Sequence, residues 1–330
     1  MEVFRFKRFE VRNELAPQKV GTDAVLLGAT LTLPDETQQH LLDIGTGTGV
    51  IALMVAQRLA DRIKSQGMSA EAPGKPSGTQ PHCTILALDI DPAAISEATA
   101  NFAASPWAPS LHAKALSLND LERQLNSLEM AARTCERREG RLADALGGQR
   151  PFPACPDKTH PFAGDTKVAE SCEGRECRLA DAPGGQRPFP ACPEEKHLFA
   201  AIFSNPPYFQ DSLKAPDARR CTARHTDTLS YREICAFAAS HLTPDGTLSL
   251  ILPAADEQPL LRYAASFGLR SFRVLRIRTT ARKVPSRIIA EFCREGRTPR
   301  RTPDSPSELI LMNGTDRTPA YAALTKDFYL

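Results

Sequence analysis

The chain has 330 residues, 42% hydrophobic and 24% charged, a globular balance that excludes a wholly disordered or fibrous chain. No apolar run approaches the roughly 20 residues needed to cross a bilayer, so a cytoplasmic protein without a membrane partner is expected. The formal net charge of +2 hides an asymmetry: between Arg270 and Arg301 eleven Lys or Arg face two Glu, an excess of nine that leaves the remainder at −7.

From the N-terminus, MEVFRFKRFE interleaves charge with Phe and lacks the apolar centre of a signal peptide. The nine cysteines are odd in number and spread over a long chain, which points to reduced thiols. His40 to Ile44 (HLLDI) is a short apolar run. Gly45-Thr46-Gly47-Thr48-Gly49 follows as a tight turn, and Val50 to Leu59 has helical apolar spacing. Strand, glycine loop and helix together bring backbone N–H groups and a positive helix end to a ligand. Lys64 to Gln80 is polar and rich in Gly, Pro and Ser, and reads as an inserted flexible connection at 64–80. The next strand, Thr84 to Ile90, ends in Asp89 and Ile90, and a helix is expected from Asp91-Pro92. An acid at that strand tip can accept both ribose hydroxyl protons. Gly49 comes one residue too early for the GxGxxG dinucleotide fingerprint, so S-adenosylmethionine suits the loop better than NAD. The expected cofactor set is Asp43, Gly45, Gly47, Gly49, Asp89 and Ile90.

Arg141 to Phe162 and Arg178 to Phe199 are identical at 17 of 22 positions with a spacing of 37 residues, a tandem duplication. Residues 134–197 contain 8 Pro and 7 Gly and little periodicity, so they read as an irregular insertion. Two copies are too few for a solenoid. Cys155 with His160, and Cys192 with His197, could in principle hold zinc, but each Cys precedes Pro and the pairs recur through duplication. No metal is expected. The whole chain, 1–330, is thereby one expected domain with insertions at 64–80 and 134–197.

Leu198 to Phe203 (LFAAIF) is a buried-strand candidate that ends in Ser204-Asn205-Pro206-Pro207-Tyr208. An adenine amino group is a poor nucleophile, because its lone pair is delocalised into the ring. The Asn205 oxygen and the Pro206 carbonyl can accept its two N–H bonds and favour a pyramidal nitrogen, with Tyr208 stacking on a base turned out of its strand. Asn205 also borders the cofactor. Basic clusters at Arg219, Arg220 and Arg224, and at Arg282, Lys283 and Arg287, are expected to meet RNA phosphates.

These residues resemble the tRNA1(Val) adenine-37 N6-methyltransferases. The resemblance is carried by FRFKRFEVRN, KVGTDAVLLGA, LLDIGTGTGVIALMVAQR, LDIDPAAISEATANFAASPW, IFSNPPYF, CTARHTDTLSY, VPSRIIAEF and YAALTKDFYL, which cover most of the chain outside the insertions. It implies a class I methyltransferase fold, α/β with a seven-stranded and mostly parallel sheet, S-adenosylmethionine as donor, and the anticodon stem-loop of a valine tRNA as substrate. It also implies that Lys19, Gly21, Thr22 and Asp23 lie in a segment over the cofactor, with Lys19 and Thr22 counted among its ligands. No protein partner is expected. One departure is Ser117, which stands where the family places an acid near the cofactor's adenine: either Asn119 or Asp120 substitutes, or adenine is held more weakly. Two other readings of NPPY stand beside this one, a protein glutamine N5-methyltransferase of the release-factor type and a catalytically inactive RNA-binding protein. The glycine loop as early as Gly45 and the basic C-terminal region favour the RNA enzyme.

Overall fold

The computed structural model describes residues 2–16, 19–35, 39–65, 83–127, 130, 199–206, 229–297 and 307–329. Two compact units divide the chain, 1–121 with 197–330 and, between them, 122–196. Of the second, residues 122–127 and 130 are described, in helical conformation. The duplicated segment, except for its last residue Phe199, falls with its cysteines outside the described residues, as do 66–80 of the first insertion. Residues 64 and 65 of that insertion continue a helix. The first unit holds the sheet and both ends of the chain.

A short hairpin, β1 (Val3–Arg5) and β2 (Glu10–Arg12), precedes helix α1 (Thr22–Thr30). The main sheet then begins with β3 (His40–Ile44), α2 (Val50–Ser65), β4 (Thr84–Asp89), α3 (Pro92–Ala103) and β5 (Leu111–Ala115). It resumes with β6 (Phe199–Ser204), α4 (Tyr231–His241), β7 (Leu242–Pro253), α5 (Glu257–Ser266), β8 (Leu269–Thr280) and β9 (Arg287–Arg294). β10 (Glu308–Asn313), β11 (Asp316–Arg317) and α6 (Pro319–Thr325) complete it. The strand order is β11-β10-β8-β9-β7-β6-β3-β4-β5. The expected seven strands are β3 to β9, and the C-terminal segment extends them to nine through β10, which joins β8 in parallel, and β11. β9 alone among the seven runs antiparallel to both its neighbours, β7 and β8.

The apolar runs explain the layout. All six residues of β6 and four of five in β3 are buried, as strands covered on both faces must be. α2 turns nine residues of its first ten inward, among them Ile51, Leu53, Met54 and Val55. The start of α3 is set by Asp91, whose side chain accepts the Ala93 N–H, with Pro92 in the first turn where no N–H is needed. The order reverses between β5, at the sheet edge, and β6, which lies beside β3. Ligand crevices open at the carboxyl ends of strands at such a reversal.

Candidate active site at the strand ends

In the register of the sheet, Ile44 of β3 faces Leu88 of β4 on one side and Ser204 of β6 on the other. One residue further along, Gly45, Asp89 and Asn205 therefore emerge level with one another at the same edge. The Ser204 hydroxyl donates to the Ile44 carbonyl at 2.6 Å and fixes the end of β6 to the glycine loop's strand. Residues 45, 89 and 205, far apart in sequence, are thus brought together by the strands that carry them.

Gly45, Gly47 and Gly49 all have positive φ, at 71°, 54° and 82°. A Cβ at Gly45 or Gly47 would meet only open space, whereas one at Gly49 would fall 2.5 Å from the Phe102 ring. The first two leave the loop open to a ligand, and the third lets it seat on α3. The loop is braced from several directions. Thr46 donates its hydroxyl to Asp43 at 2.7 Å and its N–H to the Leu88 carbonyl at 2.8 Å, and Gly47 N–H donates to Asp89 Oδ2 at 2.9 Å. The other oxygen of Asp89 accepts the Asp91 N–H at 3.0 Å, so the carboxylate is oriented before any ligand arrives. Asp43 is wholly buried, and burial, with Asp89 nearby, pushes its carboxyl up to about 7 against the Thr46 hydrogen bond. Ile90, expected among the cofactor residues, is 60% exposed beside Asp89.

Two buried polar residues of α3, not singled out in the sequence, hold the N-terminal segment. Glu97 accepts the N–H groups of Glu14, Leu15 and Ala16 at 2.6, 3.0 and 2.8 Å. Burial works to raise its carboxyl, but those three bonds outweigh it and hold the group below the usual range. Asn101 accepts the Arg12 N–H and donates to the carbonyls of Arg12 and Thr48, so one side chain joins β2 to the glycine loop. The signal for them is their spacing of four on the buried face of α3.

Lys19 belongs to this strap. Its ammonium donates to the carbonyls of Asn13 and Glu14 and lies 3.7 Å from the Glu2 carboxylate. Thr22 opens α1 and is exposed, with Gly21 as the N-cap. Arg287, expected to meet RNA phosphate, donates its Nε to Asp23 at 2.8 Å and so ties β9 to α1. Arg282 and Lys283 are exposed in the turn between β8 and β9. Asn205 is half-buried at the end of β6 and Pro206 buried. Tyr208, Arg219, Arg220 and Arg224 lie outside the described residues. Ser117 caps the helical stretch at 118–127: its hydroxyl donates to Asp120 Oδ2 at 2.7 Å and accepts the Asp120 N–H at 3.1 Å. The Asp120 carboxylate is thereby held against Ser117, two residues beyond the end of β5.

No family model matches the chain. Curated relatives do. A tRNA1(Val) (adenine(37)-N6)-methyltransferase of Porphyromonas gingivalis is 30% identical over 331 residues, covering 99% of this chain and 95% of its own. The chain belongs to the tRNA1(Val) (adenine(37)-N6)-methyltransferase family. Members from Photobacterium profundum and Bacteroides fragilis are 29% and 28% identical, each over 99% of this chain and over 98% and 97% of their own. Among solved structures, one titled a predicted O-methyltransferase of Agrobacterium tumefaciens aligns with a TM-score of 0.49 at 13% identity over 93% of this chain and 96% of its own. A methyltransferase of Pyrococcus furiosus aligns at 0.40 and 14%, over 86% and 88%. Membership in this tRNA1(Val) methyltransferase family is carried by sequence, along the whole length of the chain.

Proposed function

We propose that the chain transfers a methyl group from S-adenosylmethionine to the exocyclic N6 of adenine 37, beside the anticodon of a valine tRNA. The observation that carries this reading is the level placement of Gly45, Asp89 and Asn205 at one sheet edge. The residues fit the donor: the open, left-handed turns at Gly45 and Gly47 would admit it, the pre-oriented Asp89 would accept from its ribose, and Ile90 would cover its adenine, with Asp120, bonded to Ser117, as the candidate to stand in for the family's acid. When bound, S-adenosylmethionine supplies an electrophilic methyl.

The rest is the work of the chain. Asn205 accepts one amino N–H through its side-chain oxygen and Pro206 accepts the other through its carbonyl, which draws the nitrogen lone pair out of conjugation and aims it across the edge toward the glycine loop. Positioning and fixed dipoles suffice without a strong base, because methylation makes the amino nitrogen cationic and its surplus proton then passes to water. Tyr208 stacks on the base. The anticodon loop is single-stranded, so its bases can be unstacked at modest cost and its phosphates held by cations. This reading places the enzyme in the cytoplasm with its substrate. No described helix is long and apolar enough to cross a membrane.

The test is incubation of unmodified valine tRNA with protein and S-adenosylmethionine, followed by nucleoside mass spectrometry and nucleotide mapping. N6-methyladenosine at position 37 is expected, and its absence overturns the reading. Asn205→Ala should lower the rate constant at saturating substrates by at least about a hundredfold, as loss of one preorganised polar partner does elsewhere, while calorimetric cofactor affinity stays within about threefold. Unchanged turnover in that variant removes Asn205 from the mechanism.

A further inference from the structure

The basic stretch from Arg270 divides into two classes. Arg273 pairs with Glu291, Arg276 with Glu257, Arg278 with Glu308 and Arg287 with Asp23, while Arg270 and Arg294 donate to the carbonyls of Arg297 and Leu242. Six of the cations thus hold strands and helices together. Among the described residues, Arg282, Lys283 and Arg297 have no acidic partner, and the first two share one turn. Next to them is Val284, 80% exposed and the most exposed large hydrophobic side chain among the described residues.

The turn that carries these three is braced. Lys283 N–H donates to the Thr280 carbonyl, Ser286 N–H to Ile277 and Ala254 N–H to Ser286, and the Arg278 guanidinium reaches the carbonyls of Ala281 and Lys283. Strand direction settles where it points. β9 is antiparallel to β7 and to β8, so β8 runs the same way as β7 and β6, and the turn after β8 lies on the edge that carries Asn205. A lone exposed valine signals nothing on most surfaces. Here it stands in a fixed turn, beside two unpaired cations, on the catalytic edge.

We infer that Arg282, Lys283 and Val284 form a wedge for single-stranded RNA: the cations sit on phosphates flanking the target adenine, and Val284 fills the gap left in the base stack when that adenine turns toward Asn205. The inference rests on the proposed function. Rotating a base out leaves the faces of its neighbours exposed, and an apolar plug offsets the broken stacking. A β-branched side chain, stiff at χ1, suits a plug better than a flexible one. Arg and Lys there supply counterion release that the paired arginines cannot.

The experiment uses the full chain and a valine-tRNA anticodon stem-loop with 2-aminopurine 3′ of the target adenine. Binding by the parent protein should raise the fluorescence as the stack opens. Val284→Ser should weaken affinity about tenfold, because a hydroxymethyl group covers less of the neighbouring base faces, abolish most of that rise, and leave the salt dependence of binding unchanged; Val284→Ile should restore both. The double variant Arg282→Ala, Lys283→Ala should instead lower the slope of log affinity against log salt by about 0.7 per cation. If the parent methylates and Val284→Ser matches it in affinity and fluorescence, the wedge is wrong and the proposed function stands. A parent that leaves valine tRNA unmethylated overturns the proposed function and the wedge with it.

Discussion

Asp43 sits beneath the glycine loop with no exposed surface, and its carboxyl is held at about 7 where an exposed one would be near 3.8. Between those two values the unfolded chain releases a proton that the folded chain keeps, so this group makes stability fall as pH rises from about 4 to about 7 and then level off. Asp43→Asn keeps an acceptor for the Thr46 hydroxyl and removes the titration. The difference in melting temperature between variant and parent should therefore grow in the variant's favour from pH 4.5 to 7.5, measured by thermal denaturation. A constant difference would show that Asp43 does not titrate in this window. His40, lowered to about 4 by burial, acts in the opposite direction but is present in both proteins and cancels. Both Asp43 and Asp89 are legible in the sequence from their places in and after short apolar runs. The hydrogen bond from Gly47 to Asp89 is not, because it joins residues on two strands whose neighbourhood only the sheet register defines.

The elements whose bounds the sequence shows best are the buried strands: His40–Ile44 is legible to the residue, and β4 and β6 to within one residue at their ends. Continuous apolar runs between polar turns leave little freedom of assignment. The roles of cations are harder to see, since Arg273 and Arg287 look alike in sequence and differ only in what lies across the sheet. Arg273 meets Glu291, a fully buried carboxylate that also accepts from Thr32 and Ser249 and so joins the end of α1 to β7, β8 and β9. Polar spacing on an apolar helix face is the legible trace of the strap, and it gives a prediction. Glu97→Ala leaves three backbone N–H groups without their acceptor and should free residues 14–16, visible as faster amide exchange there than in the parent. Because Asn101 still holds the glycine loop, cofactor affinity should fall by less than about tenfold. Unchanged exchange at these three amides would mean that Glu97 does not hold the strap.

At the scale of the molecule, we propose that residues 1–330 are one methyltransferase domain whose longer insertion falls where the sheet needs a long connection in any case. The link from β5 to β6 must pass β4 and β3, so it cannot be a tight turn. Loop-closure cost grows only with the logarithm of length. Removing one copy of the duplication, residues 141–177, should therefore change stability by only about 0.5 kcal/mol, a shift in melting temperature within about 2 °C for a chain this size, and leave kcat/KM on valine tRNA within about twofold. A large drop in either would give the duplicated segment a structural or substrate-binding role that its Pro and Gly content does not suggest.

The N-terminal hairpin holds one more consequence, and it concerns time. Phe6 stacks on Phe9 and lies parallel to the Tyr329 ring, Lys7 N–H donates to the Phe328 carbonyl, and the Lys7 ammonium donates to that of Lys326. Residues of the hairpin are thus closed by partners 319 positions later in the chain, as Lys7 is by Lys326. At about 5 to 20 residues per second of synthesis, the aromatic side chains of the hairpin wait roughly 15 to 60 seconds for Tyr329 to be made. During that interval Phe4 and Phe6, with Arg5 between them, lack the Tyr329 ring that packs beside them in the folded chain.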